Sequence, residues 1–230
     1  MFILLSYPLG PTTPTYDNNT PVKVTRTSRI ADGRTSNWVT LETINHNGTH
    51  LDAPYHFNDQ GRRLTDLDIN EFVFIRPALL DIPKNDGELI TQADLAAQAD
   101  AIAQADLLLI RTGWATQCRQ SDPVRFGKQA PGFAASAGRY LIEAQPSVRA
   151  IVMDMPSAAS PLNAQVKEEG REFHRIVLGT YGNPDDRYIF LVEDARIDPD
   201  LNGAALKRVI VAPLWLQDAD AAPVTILAEL

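Results

Sequence analysis

The chain has 230 residues, of which 44% are hydrophobic and 22% charged, and it carries a net charge of −8. These proportions exclude a disordered or fibrous protein, and the length is enough to bury a core, so we expect one domain spanning residues 1–230. The acidic balance, with no cluster of lysine and arginine, excludes a nucleic-acid partner.

The single cysteine and the apolar segments bear on the compartment. Cys118 has no second cysteine to pair with, which fits a reducing compartment. The opening MFILLSYPLG lacks a preceding positive charge and is interrupted at Tyr7–Pro8, so it predicts a first strand and no signal peptide. No run approaches the roughly 20 apolar residues that cross a bilayer. We therefore expect a cytoplasmic protein without a membrane partner.

The first part of the chain predicts strands. Residues 2–7 predict a short buried strand, and a loop rich in proline, threonine and asparagine follows over 8–20. Apolar and polar residues alternate over 22–29 and again over 37–44, on either side of a turn, which predicts a hairpin. The hairpin leads directly into the stretch that contains most of the histidines.

Helices alternate with apolar runs in the rest of the chain. Thr91 and Asp94 have the spacing of a helix N-cap and its partner, which predicts a helix over 91–103. The other predicted helices cover 134–144 and 166–178, around a polar, irregular segment at 117–132 and buried or apolar strands at 72–82, 107–111, 150–153, 189–192, 209–211 and 224–227. This alternation indicates an α/β protein.

The stretch HNGTHLDAPYHF, residues 46–57, holds three of the four histidines, with Asp52 between them. Asn47, Gly48 and Pro54 disfavour a helix here, so the segment is expected to be extended. His50 and Asp52 would then share a face, with Cα atoms roughly 7 Å apart. His46 would lie about 13 Å from His50 in an extended chain, so the chain must turn at Asn47–Gly48 to bring it close.

Two imidazoles and a carboxylate form a ligand set that catalytic divalent ions prefer, because three protein ligands leave a position for water. His46, His50 and Asp52 are the predicted set, and a metal-activated water would supply a nucleophile. His56, beyond the bend at Pro54, would be free for proton transfer. Zinc and manganese both fit nitrogen and oxygen ligands, so this set does not choose between Zn²⁺ and Mn²⁺.

The motif with this spacing resembles the signature HxGTHxDxPxH of the metal-dependent cyclase family, which includes bacterial kynurenine formamidase and isatin hydrolase. Further stretches fall in the family's order over nearly the whole chain: LLSYPL, LLIRTGW, PGF, MDMPS, the region of His174, VAPLWL and APVTILAEL. The resemblance implies a swivelling β/β/α-type single domain with a mixed sheet, and a homodimer or homotetramer.

The same resemblance implies one or two divalent ions. By similarity, His46, His50 and Asp52 are ligands, with Asp52 able to bridge two ions, and His56 is the acid/base. A second ion would take His174 and a glutamate, for which Glu193 is preferred over Asp186. The first loop, TTPTYDNNTPV, departs from the formamidases because it has neither their tryptophan nor their glycine–aspartate pair.

Several other residues could have either a functional or an ordinary structural role. Asp154 ends a predicted strand and could line the site or cap the next turn. Tyr16, Trp38 and Trp114 could wall an aromatic pocket, although tryptophans by default pack in the core. Ser157 lacks a G-x-S-x-G context, which argues against a serine hydrolase.

The sequence therefore predicts a metal-dependent amidohydrolase that cleaves non-peptide C–N bonds of small amides or lactams, arylformamidase-like or isatin hydrolase-like. Hydroxide generated at the metal would be the nucleophile, with His56 as acid/base. Two alternatives remain open: a metal-binding protein without catalysis, and a cyclase acting on a polyketide-like intermediate.

Overall fold

A computed structural model describes residues 1–230, and its centre is a group of short apolar strands. The strands are β1 (Phe2–Leu4), β2 (Lys23–Ser28), β3 (Trp38–Glu42), β4 (His50–Asp52), β5 (Val73–Phe74), β6 (Pro77–Asp81), β7 (Leu89–Ile90), β8 (Leu107–Arg111), β9 (Gly132–Phe133), β10 (Ala150–Met153), β11 (Phe190–Glu193), β12 (Arg208–Pro213) and β13 (Ala221–Glu229). The α-helices are α1 (Gln92–Ala96), α2 (Ala99–Ile102), α3 (Trp114–Cys118), α4 (Pro123–Lys128), α5 (Ala135–Ala144) and α6 (Ala164–Val177). Single 3-10 turns occupy Ile30–Asp32, Pro54–His56, Leu64–Asp66, Ile69–Phe72, Pro184–Asp186 and Gly203–Ala205.

The main sheet is mixed and has nine strands, in the order β5-β12-β13-β4-β11-β10-β8-β6, with β1 paired to β13. Strands β6, β8, β10 and β11 run parallel to one another. The three-residue strand β4 is inserted between β11 and β13 and is antiparallel to both. Strand β4 thus joins the parallel part of the sheet to the antiparallel part.

Strands β8, β10 and β11 are buried on both faces, which explains why they are mostly apolar runs. In β8, Leu108 and Ile110 belong to the core that packs under the helices. Leu107 and Leu109 belong to a second core, which packs against the antiparallel strands. Helices, parallel strands and antiparallel strands therefore form successive layers, and the predicted α/β, swivelling β/β/α-type fold with a mixed sheet is confirmed.

Most predicted elements form, with bounds shifted by a few residues. The helix predicted over 91–103 begins as expected, because the Thr91 and Asp94 side chains each bond the other residue's backbone N–H. It is divided into α1 and α2. The helices predicted at 134–144 and 166–178 are α5 and α6.

Three expectations about elements were wrong. The strand predicted over 72–82 is two strands, β5 and β6, at opposite edges of the sheet. The segment 117–132, expected to be irregular, contains the end of α3 and all of α4. Strand β1 is not buried, because Phe2 and Leu4 are about half exposed at the edge of the sheet.

The predicted hairpin is present, and it stands apart from the main sheet. Strands β2 and β3 pair only with each other. Every residue of β3 is exposed, including Trp38, Val39 and Leu41. No α-helix in the structure has the length and apolar character needed to span a bilayer.

Candidate metal centre

Strand β4 fixes the centre of the site. Its position between two other strands buries His50 and Asp52, each of which is only 1% exposed. The pairing places Glu193 opposite His50, and Ala221 opposite Asp52. Residues that are far apart in the sequence therefore meet at a three-residue strand.

The turn before β4 brings His46 back to the strand, as the spacing predicted. Gly48 has a positive φ of 69°, and a Cβ atom there would approach Leu9 Cδ1 to 3.0 Å, so the turn requires glycine. The amide of Asn47 donates hydrogen bonds to the Thr20 carbonyl and to Thr43 Oγ1, which hold the turn in place.

Four histidine rings converge on the Asp52 carboxylate. His46 Nδ1 is 3.0 Å and His50 Nε2 is 3.5 Å from Asp52 Oδ1. On the other side, His174 Nε2 is 3.8 Å and His56 Nε2 is 4.0 Å from Asp52 Oδ2. Each oxygen of Asp52 thus faces a different pair of rings, an arrangement suited to bridging two cations.

Glu193 lies on the far side of His50 and His174. Its Oε2 is 3.3 Å from His50 Nε2, and its Oε1 is 3.4 Å from His174 Nε2. The Ala158 N–H and the Ser157 hydroxyl donate hydrogen bonds to Oε1 and fix the carboxylate. Asp186, the other acid considered from the sequence, lies in the turn at 184–186 and does not face this cluster.

Two overlapping groups of ligand atoms lie within 4.8 Å of one another: His46, Asp52 and His56 in one, and His50, Asp52 and Glu193 in the other. The structure thus brings all six residues singled out from the sequence into one cluster. It groups them differently from the expected sets, because His50 lies closer to Glu193 than to Asp52.

The buried donor atoms fit a cation. His50 Nε2 and both oxygens of Asp52 are buried and accept or donate no hydrogen bond. Leaving such atoms unpaired costs about 1–3 kcal/mol each. The opposite ring nitrogens, Nδ1 of His50 and Nδ1 of His174, are bonded to the carbonyls of Gly48 and Gly170, so the Nε2 atoms face the cluster. Backbone carbonyls orient metal-binding histidines in this way.

The electrostatics of the cluster also favour a cation. Burial works to lower the pKa of His46, but the carboxylates of Asp52 and Asp220 outweigh it and raise the pKa to about 10. The surrounding histidines hold the pKa of Asp52 below its usual range, in spite of burial. The nearby carboxylates also raise the pKa values of His50 and His174 against the effect of burial, and a divalent ion would neutralise this negative charge in place of the protons.

Asp220 is a site residue that the sequence did not identify. Its Oδ2 accepts hydrogen bonds from His46 Nε2 at 3.0 Å and from His56 Nδ1 at 2.8 Å. Asp220 immediately precedes β13, whose first residue pairs with Asp52. The only signal in the sequence was an acid in front of the last predicted strand, and nothing local indicated which strand would lie beside it.

The cluster forms the floor of a cleft of about 470 Å³, within the usual range for small-molecule sites. Tyr16, Phe57, Lys167 and Arg171 line the cleft above the histidines. Of the other aromatic candidates, Trp114 is buried in the core and Trp38 is exposed on the hairpin.

Asp154 has a structural role and does not line the cleft. It accepts hydrogen bonds from the backbone N–H groups of Thr112 and Gly113 and from the Thr112 hydroxyl. Burial raises its pKa to about 6, against these hydrogen bonds. Asp154 thus caps the turn after β8, the second of its two predicted roles.

Comparison with known proteins gives consistent matches. The family model Cyclase, described as putative cyclase, matches residues 3–160. A kynurenine formamidase of Geobacillus thermodenitrificans is 31% identical over 217 residues, covering 92% of this chain and 88% of that protein. The fold is similar to isatin hydrolase A from Labrenzia aggregata, with a TM-score of 0.81, 20% identity and coverage of 99% of this chain and 93% of that one. A predicted metal-dependent hydrolase from Bacillus stearothermophilus aligns with a TM-score of 0.73, 24% identity and coverage of 99% and 97%.

Proposed function

Because the chain belongs to the Cyclase family, we propose that it is a metal-dependent hydrolase of non-peptide C–N bonds in small amides or lactams. The observation that carries this proposal is the buried cluster of unpaired donor atoms at the floor of an open cleft. The kynurenine formamidase relatives and the isatin hydrolase fold support it.

The residues present could hold one or two divalent ions, Zn²⁺ or Mn²⁺. His46 and His50, which both face Asp52 Oδ1, would hold the first together with Asp52. His174 and Glu193 would hold the second on the side of Asp52 Oδ2, and His50 lies within reach of Glu193 as well. A bound ion of this kind polarises a carbonyl group and makes water nucleophilic near neutral pH.

His56 is the proposed acid/base. Its Nδ1 is bonded to Asp220, so Nε2 is the nitrogen that faces the cluster and the cleft. That nitrogen can take a proton from the attacking water and return it to the leaving nitrogen of the amide. The ring packs edge-on against Phe57, which limits its rotation.

The variant His56→Ala tests this role. We expect its kcat to fall by about 10²–10⁴-fold while the metal content of the purified protein stays unchanged. Elemental analysis and steady-state kinetics with N-formylkynurenine, isatin and simple lactams, each with zinc and with manganese, measure both quantities. Full turnover in a metal-replete His56→Ala sample would contradict the role, and the absence of any stoichiometric divalent ion would contradict the site.

The same assays address the two alternative functions. A protein that only stores metal would fill every coordination position with its own side chains, whereas this cluster opens into a cleft. A cyclase would use the same residues, so cyclisation in place of hydrolysis would appear as a different product in the substrate screen.

We propose that the preferred substrates carry a carboxylate in addition to the amide. Lys167, Arg171 and His174 lie at helical spacing on α6 and all line the cleft. Lys167 is engaged by Asp17 at 2.8 Å. Arg171 has only one loose contact, 3.4 Å to Glu168, so its charge is available to an anion in the cleft.

The matched variants Arg171→Gln and Arg175→Gln test this preference. Arg175 is one helical turn away, does not line the cleft and is bound to Glu168 and Glu172. We expect Arg171→Gln to raise KM for N-formylkynurenine about tenfold and to leave KM for uncharged isatin unchanged, with Arg175→Gln altering neither. An equal loss with both substrates would remove the argument for an anionic substrate.

We also propose that the chain forms a homodimer or homotetramer through the β2–β3 hairpin. An isolated two-stranded hairpin is at best marginally stable in water, so this one needs a surface to pack on. Residues 23–42 contain four basic and two acidic residues, a net charge of +2 in a chain of −8. The remainder therefore carries −10, and a second copy offers the hairpin a surface of opposite charge.

Sedimentation of Trp38→Ser and Ile69→Ser would test the assembly. Trp38 and Ile69 are both exposed apolar residues, at 65% and 74%, but only Trp38 lies on the hairpin. We expect Trp38→Ser alone to shift the protein towards monomer, more so at high salt. A wild-type protein that sediments as a monomer would refute the proposal.

A further inference from the structure

Asp220 connects two histidines to which different roles have been assigned. Its Oδ2 accepts one hydrogen bond from His46, a proposed ligand, and one from His56, the proposed acid/base. The two rings lie next to each other, with centroids 4.2 Å apart. We propose that Asp220 is a positioning residue that fixes both rings at once.

The position of Asp220 is itself fixed by the sheet. Its carbonyl accepts a hydrogen bond from the Ala53 N–H at 2.8 Å, directly after β4. Its Oδ1 accepts a hydrogen bond from the Asn45 amide at 2.6 Å, and that amide also bonds the carbonyl of Ala221. Asp220 is therefore fixed through its backbone by Ala53 and through its side chain by Asn45.

The hydrogen bonds determine which nitrogen of each ring carries hydrogen. A carboxylate oxygen only accepts, so Nε2 of His46 and Nδ1 of His56 must each carry hydrogen, and Nδ1 of His46 and Nε2 of His56 are the nitrogens that a cation or a substrate proton can reach. His46 then presents Nδ1 towards Asp52, and His56 presents Nε2. One carboxylate thus orients a ligand atom and a proton-accepting atom, as outer carboxylates do for histidines at metal sites.

The variants Asp220→Asn and Asp218→Asn test the proposal. Asp218 lies two residues earlier, is exposed and makes no contact with the histidines, so it controls for the loss of one negative charge. We expect Asp220→Asn to lower the affinity for Zn²⁺ about 10–100-fold by competition with a chelator, and Asp218→Asn to leave it unchanged.

The second readout is the tautomer of His56, observed by ¹⁵N NMR of the zinc-loaded protein. Wild type should show hydrogen on Nδ1, and Asp220→Asn should show a mixture of both tautomers. In the assay, kcat should fall and KM should stay within about twofold; this part alone rests on the proposed hydrolase function.

A graded variant guards against misfolding as an explanation. Asn45→Ala removes the hydrogen bonds to Asp220 Oδ1 and to the Ala221 carbonyl and leaves both histidine bonds to Oδ2, so it should weaken zinc binding in the same direction by a smaller factor. Unchanged zinc affinity and an unchanged His56 tautomer in Asp220→Asn would overturn the proposal, whether or not the protein hydrolyses any amide tested.

Discussion

Glu193 is the last residue of β11 and Asp194 follows it, and both are buried, at 3% and 2% exposure. Their surroundings differ. Asp194 makes two hydrogen bonds with the guanidinium of Arg119, at 2.6 and 2.7 Å. The ring of Tyr7 lies 3.5 Å from that guanidinium and covers it. Glu193 faces only histidines, a hydroxyl and a backbone N–H.

The two carboxylates differ in whether the chain itself supplies a cation to balance them. At Asp194 a permanent cation cancels the carboxylate, and both carboxylate oxygens are bonded, so the pair is complete within the chain. At Glu193 and Asp52 no permanent cation is present, and buried acceptors stay unpaired. Buried negative charge that no cation balances costs stability, and it creates affinity for a cation from solution.

Removing the central carboxylate should give the largest effect. Asp52→Asn deletes the charge that both groups of ligands share, so we expect kcat/KM to fall about 10⁴-fold, roughly 5 kcal/mol. Metal content, measured on the same sample, should fall below stoichiometric. A variant that keeps its metal and its turnover would show that Asp52 is not the centre of the site.

Breaking the complete pair should affect stability and spare metal binding. Arg119→Met leaves Asp194 buried without its partner, which should cost about 3–5 kcal/mol of unfolding free energy in urea. The control is Arg196→Met, whose ion pair with Asp198 is about half exposed and should be worth less than about 1 kcal/mol. Equal losses in the two variants would erase the contrast between buried and exposed pairs.

Stability should depend on pH in the chelated protein. The pKa of His46 is raised from 6.5 to about 10, so its contribution is complete below pH 6.5 and is lost as pH rises towards 10. We expect a loss on the order of 2 kcal/mol across that window in urea unfolding with chelator. Added Zn²⁺ should reverse the trend, because binding needs unprotonated rings. His46→Gln should flatten the chelated profile, and a flat wild-type profile would contradict the prediction.

The smallest effect is expected at Ser157. Its hydroxyl is 3.2 Å from Glu193 Oε1, but the Ala158 N–H donates to the same oxygen at 2.7 Å and remains in Ser157→Ala. We expect kcat/KM to stay within about threefold. A loss above about 100-fold would instead indicate a nucleophilic serine.

The part of the site that residue types and spacing predicted was local, and only the family resemblance pointed to the distant His174 and Glu193. The turn at Asn47–Gly48 and the shared face of His50 and Asp52 follow from residue types and spacing alone. Asp220 could not be found this way, because its contact with His46 depends on which strand lies next to β4. A pattern of apolar residues predicts that β13 is a strand, and it carries no information about its partner.

The fold was predictable to a similar extent. Residues 72–82 predict one strand, with an edge or bend at Pro77, because the run is mostly apolar. The chain divides there because the Asp106 carboxylate accepts hydrogen bonds from the N–H groups of Ile75 and Arg76, a contact across some 30 positions. In the same way, helix α4 was hidden by polar composition, and it begins where the Asp122 side chain accepts from Arg125 N–H.

The position of β4 has a consequence for how the protein matures. His46 and Asp220 are 174 positions apart, and β4 pairs with two strands from the C-terminal part of the chain. During synthesis the three clustered histidines leave the ribosome long before β11 and β13, and contacts over such separations form late. The metal would therefore bind only after the C-terminal strands have folded. A chain stalled before β13 lacks the strand that pairs with β4 and holds the proposed ligands in place.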